Sequence, residues 1–171
     1  MKSLQGQYYG AALHAFVKGL SQSESLILQI LRAHGLERIE PDQWYDLNTA
    51  RSIYYMVGRQ VGERSLHAVG LQMINSAPFP PEIRDVRGVL LSLDHAYHMN
   101  VRGPEIGSIG VEFAGDDTAL VTYDRTPFPC ALSRGITVGA ARKFVSHALL
   151  EHGPDGCLDR GGSSCTFHVT W

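Results

Sequence analysis

Over the first hundred positions apolar residues recur three and four apart, and after position 105 they alternate with polar or small ones. The first rhythm predicts helices. Leu13, Phe16, Val17 and Leu20 form one stripe, and Leu26, Ile27, Ile30 and Leu31 form a second, which His34-Gly35 ends. A third element opens at Pro41-Asp42 and runs through Trp44, Leu47, Ile53 and Met56. Gly58 or Gly62 breaks it before Leu66, Val69, Met73 and Ile74. The proline-rich run from Ser76 to Pro81 removes backbone donors and stops the fourth helix. A fifth carries Ile83, Val86, Leu90, Leu93 and Tyr97.

The alternating rhythm predicts strands. Ile109, Val111 and Phe113 run out to the turn at Ala114-Gly115-Asp116-Asp117, and Ala119, Val121 and Tyr123 return. Pro127-Phe128-Pro129 ends that hairpin and leads into a helix from near Cys130 to near Lys143. Strands at Val145 to His152 and Ser164 to Trp171 follow, the last placing Cys165, Phe167, Val169 and Trp171 on one face. The expected class is α+β. N-terminal helices pack on a four-stranded antiparallel sheet, with a β-β-α-β-β C-terminal half, in a single domain over residues 1–171.

Composition narrows the partners. A hydrophobic fraction of 44% and a charged fraction of 19% are those of a globular chain. The formal net charge of −2, with both signs scattered through the chain, leaves no basic footprint for nucleic acid or for an anionic membrane. The apolar stretches are too short to span a bilayer, and the opening MKSLQGQYYG has no signal-sequence pattern, so the expected location is cytoplasmic.

Three is an odd number of cysteines, which excludes a closed set of disulfides, and their clustering at 130, 157 and 165 points to metal. His152 ends one expected strand, Cys157 lies in a glycine-rich loop and Cys165 begins the next strand, so a hairpin can fold three donors to one point. Cys130, at a helix start, supplies a fourth. Three thiolates and an imidazole suit a tetrahedral structural Zn²⁺ with no open position. Glu151 or Asp155 in place of His152, a Cys157–Cys165 redox pair, and three unligated buried thiols are the alternatives.

The stretches C-A-L-S-R-G-I-T-V-G, from Cys130, and C-L-D-R-G-G-S-S-C-T-F-H-V-T-W, from Cys157, resemble the 4-vinyl reductase domain family. That family shares a superfamily with the TRAPP vesicle-tethering subunits and the haem–nitric-oxide-binding (H-NOX) domains. The resemblance covers about forty residues and implies a zinc-containing small-molecule sensor, as in phenol-responsive bacterial activators, and a homodimer. In those sensors a glutamate three residues before the second cysteine completes the metal site. Here that position is Pro154, which leaves His152 as the chosen ligand.

Between the fifth helix and the first strand, Tyr97, His98, Arg102 and Glu105 are the expected ligand-binding residues of an apolar pocket between helices and sheet. The bland reading pairs Arg102 with Glu105 at a helix end and leaves the histidines on the surface. Related H-NOX domains hang haem from a histidine on the helix before the sheet and hold its propionates with Y-x-S-x-R. His95 or His98 stands at the right place, but V-T-Y-D-R, from Val121 to Arg125, retains only the arginine. Haem therefore ranks below zinc here. No nucleophile triad, phosphate loop or nicotinamide or flavin fingerprint is present, so no enzyme is expected. The resulting expectation is a zinc-stabilised sensory or carrier domain for a small apolar or aromatic ligand. Its alternatives are a haem-based gas sensor and a ligand-free assembly subunit.

Overall fold

In the computed structural model, residues 4–171 are described; residues 1–3, part of the opening stretch read for a signal sequence, lie outside them. Strand β1 (Gln7–Tyr9) leads directly into helix α1 (Gly10–Lys18), and α2 (Glu24–Ala33) follows. Strand β2 (Trp44–Asp46) then precedes α3 (Leu47–Val61), α4 (Glu63–Ser76) and α5 (Val86–Asn100). The third helix thus starts at Leu47 rather than at Pro41-Asp42. Asp46 decides the boundary: its side chain accepts the Thr49 N–H at 3.0 Å as an N-cap, so the three residues up to it remain extended. Asp85 caps α5 in the same way through Gly88 N, at 2.7 Å.

After α5 come β3 (Val101–Arg102), the hairpin β4 (Ser108–Phe113) and β5 (Thr118–Asp124), α6 (Cys130–Arg142), β6 (Leu149–His152) and β7 (Ser164–Thr170). The four-stranded antiparallel sheet has the order β4-β5-β7-β6, with Tyr123 opposite Cys165 and His152 opposite Phe167. This is the expected α+β class. A second, three-stranded sheet of order β2-β1-β3 was not legible in the sequence, because its strands are too short to show a period.

The apolar faces form two cores. One lies within the N-terminal helices around Leu13, Phe16, Ile53, Tyr54 and Val57. The other lies between α5, α6 and the sheet, around Leu90, Val121, Phe167 and Val169. Tyr97 and Ile136 pack against both. Helices α4 and α6 meet at backbone distance. A Cβ on Gly70 would lie 2.5 Å from the Leu132 carbonyl oxygen, and one on Gly135 would lie 2.1 Å from that of His67. Only glycine permits that approach. No helix among the described residues is long and apolar enough to cross a membrane.

Candidate functional site

The end of β6, the loop after it, the start of β7 and the first residue of α6 converge. They bring His152, Cys157, Cys165 and Cys130 together, with one donor atom from each lying within 4.8 Å of all the others. Cys130 and Cys165 are buried, and the other two are half-buried. Gly156 (φ 121) and Gly161 (φ 85) give the loop its left-handed turns. Glu151 and Asp155, the alternative fourth donors, are exposed and stand outside the group.

The His152 ring is oriented for donation of a lone pair. Its Nδ1 lies 2.7 Å from the Gly153 carbonyl oxygen, which only accepts, so Nδ1 carries a proton and the lone pair of the neutral ring is on Nε2. That Nε2 is buried without a hydrogen-bond partner. A second partner on the far nitrogen is the usual orientation of a metal-ligating histidine. The thiols share their charge unevenly. Cys165 Sγ receives hydrogen bonds from the Cys130 thiol and from Leu158 N–H at 3.2 Å, and lies 3.7 Å from Cys157 Sγ. These donors, Cys130 first, pull its pKa down to about 5. The Cys165 thiolate beside it, and then burial, push that of Cys130 up. A thiolate among soft donors and an orphaned imidazole nitrogen is a donor set that can hold a metal ion.

Asp159, in the same loop, accepts Cys130 N–H at 2.9 Å and the Tyr55 hydroxyl at 2.9 Å. It ties the loop both to the α6 N-terminus and to α3. Nothing in the local pattern of the sequence singles it out, since its partners are 29 and 104 residues away.

The large cavity lies elsewhere. A groove of about 540 Å³ runs between α1, α2 and residues 37–41, with Val17, Leu20, Ile27, Leu28 and Leu31 among its apolar walls and His14 and Lys18 among its polar ones. The space between helices and sheet, where a pocket was expected, is filled by fully buried Leu90, Val121 and Phe167. None of the four expected ligand-binding residues lines the groove. The Tyr97 hydroxyl donates to the Ile106 carbonyl. His98 is exposed and bonded to the Asp94 carbonyl oxygen at 2.9 Å. Arg102 stacks on Trp44, 3.9 Å from the ring centroid, and donates to Gln7. Glu105 is exposed.

No protein-family model matches the sequence, and no curated protein is similar to it. Solved structures do match. A variant of the T. tengcongensis H-NOX domain is 19% identical with a TM-score of 0.73, over 94% of this chain and 96% of that one. An H-NOX protein from S. oneidensis in the Fe(II)NO ligation state is 15% identical with a TM-score of 0.70, over 94% and 97%. An oxygen-binding H-NOX domain related to soluble guanylate cyclases, in its oxygen complex, is 19% identical with a TM-score of 0.68, over 91% and 90%.

These matches correct the expected cofactor order, a structural Zn²⁺ with haem behind it. The group named in structures sharing this fold is haem, and a set of four donors does not by itself put zinc first. Haem must then be tested on this chain's own residues, and its expected anchors do not fit. His95 and His98 lie on the exposed face of α5, while its inward face is occupied by Val89, Leu90, Leu93 and Tyr97. At the three positions aligned with the propionate motif, Val121 is buried, Tyr123 is buried and bonded to Thr137 at 2.9 Å, and Arg125 is 75% exposed on Asp124. At these identities the likeness carries the architecture alone: over more than nine-tenths of its length, this chain has the fold of the H-NOX domains.

Proposed function

We propose that the chain is a non-catalytic sensory domain that binds a small, largely apolar molecule in the groove between α1 and α2. The groove itself carries this reading. Its volume lies within the roughly 300–1,000 Å³ of small-molecule sites, and apolar walls with a few polar groups are what such sites use for affinity and orientation. The fold it shares with haem- and oxygen-binding domains supports a binding role rather than catalysis. Ligand in the groove would bear on the packing of α2 against α3, where His34 Nε2 meets Ser52 Oγ at 2.8 Å, so occupancy can bias the helical half between two states.

In this reading the three donors of the terminal hairpin and Cys130 at the start of α6 are a metal-binding clasp that joins β6, β7 and α6. The neutral apolar dye N-phenyl-naphthylamine tests the groove. One-to-one binding with increased fluorescence is expected, and Leu28→Glu, on a half-buried wall residue, should abolish it. Equal binding by that variant would sink the proposal.

A second reading, haem-based gas sensing, draws on the solved structures that share the fold. Reconstitution with haemin separates the two. A Soret band lost in His95→Ala or His98→Ala would favour haem, and no band beyond that of free haemin would favour the groove.

A further inference from the structure

On one face of α6, Arg134, Val138 and Arg142 stand at i, i+4 and i+8, and the glycine contact with α4 sets His67 beside them. Leu149, Leu150 and Glu151 from β6 form the other side of an open pocket of about 250 Å³, with Arg142, Leu149 and Glu151 exposed at its mouth. Of the four polar side chains here, Arg134 and Arg142 are cations, Glu151 is an anion and His67 is an imidazole with a lowered pKa. Arg134 Nε is buried without a hydrogen-bond partner, although a guanidinium carries five N–H donors. Arg142 uses its Nε on the Ala148 carbonyl oxygen at 2.9 Å. Glu151, exposed at the rim, forms no ion pair with either arginine. Burial, then the charges of Arg134 and Arg142, lower the pKa of His67, which places the imidazole in the positive field of the two guanidinium groups.

We propose that this pocket binds a small oxyanion, a phosphate or carboxylate group, gripped by the guanidinium groups of Arg134 and Arg142 with His67 at its side. Guanidinium forks match the planar pair of oxygens such groups present, and a bound oxyanion would satisfy the buried Arg134 Nε. The volume is below that of a whole cofactor site, which fits one compact anionic group rather than an extended ligand. The apolar side of the pocket, Val138 and Leu150, excludes water from part of it and strengthens the charge interaction. This site is separate from the α1–α2 groove and does not depend on it.

Calorimetric titration of the full chain with inorganic phosphate, and separately with acetate, at constant ionic strength tests the proposal. Saturable one-to-one binding of either is expected, and which of the two binds more tightly identifies the group. Arg134→Gln should weaken it about tenfold, the loss expected for a charge-assisted contact. Glu151→Gln, which removes the rim anion without touching the core, should tighten it about threefold. That gain cannot come from misfolding, so it keeps the test decisive if the arginine variant is unstable. Heats no larger than those of equal chloride for both anions, or an affinity unmoved by Glu151→Gln, would overturn the proposal.

Discussion

Tyr55 on α3 donates its hydroxyl to Asp159 at 2.9 Å, and the other oxygen of that carboxylate accepts the N–H of Cys130 at 2.9 Å. One side chain thereby joins the N-terminal helices, the start of α6 and the loop that carries the cysteine cluster. Burial, then the Asp159 charge, holds the Tyr55 pKa above its ordinary value, so the phenol is the donor at neutral pH. Asp159→Ala is expected to lower stability by about 1–2 kcal/mol, the size of a lost capping or charge-assisted hydrogen bond in a partly solvated site. Urea denaturation with an unchanged m-value checks this.

A second pair sets the alkaline limit. The Tyr8 and Tyr54 hydroxyls lie 2.8 Å apart in the first core, and burial pushes the Tyr8 pKa up to about 12 from 10.0. A folded-state pKa raised above the unfolded value gives stability that is whole below about pH 10. It is lost as pH rises through about 12, because the unfolded chain releases the proton first. Melting temperature should fall across that window, with the phenolate absorbance of the buried tyrosines appearing together with unfolding. Complete phenolate titration near 10 in folded protein would contradict it.

The α4–α6 contact admits no side chain. Gly135→Ala should cost about 1–3 kcal/mol, since its Cβ would lie 2.1 Å from the rigid His67 carbonyl oxygen. Gly115→Ala in the β4–β5 turn, where nothing lies within 4 Å of an added Cβ, should leave the melting temperature nearly unchanged. The same contact places His67 beside Arg134, so Gly135→Ala should also weaken phosphate binding.

Cobalt(II), used as a spectroscopic probe, tests the donor cluster directly. Thiolate coordination is expected to give intense sulfur-to-metal charge-transfer absorption saturating at one ion per chain, with a rise in melting temperature. Cys157→Ser, at the half-buried donor, should remove most of that absorption. Weak bands typical of hydrated cobalt in the unsubstituted protein would exclude a metal role for these residues.

Several features were legible in the sequence by itself because they are local. The periods of α5, α6, β4 and β5 follow from side chains three, four or two residues apart, and each must bury its apolar face. The grouping of Cys130, His152, Cys157 and Cys165 followed from the same reading, since a hairpin between two predicted strands leaves few places for its loop to go. The tertiary structure decided what depends on distant pairing. Strands β1, β2 and β3 exist only because Tyr8 finds Tyr45 and Val101 across the fold. Leu90 of α5, Val121 of β5 and Phe167 of β7 filled the expected pocket, and a groove of about 540 Å³ opened instead between α1 and α2. The triad of Arg134, Arg142 and His67 has no motif at all. It arises where two glycines let two backbones touch, a close approach that no spacing along one chain encodes.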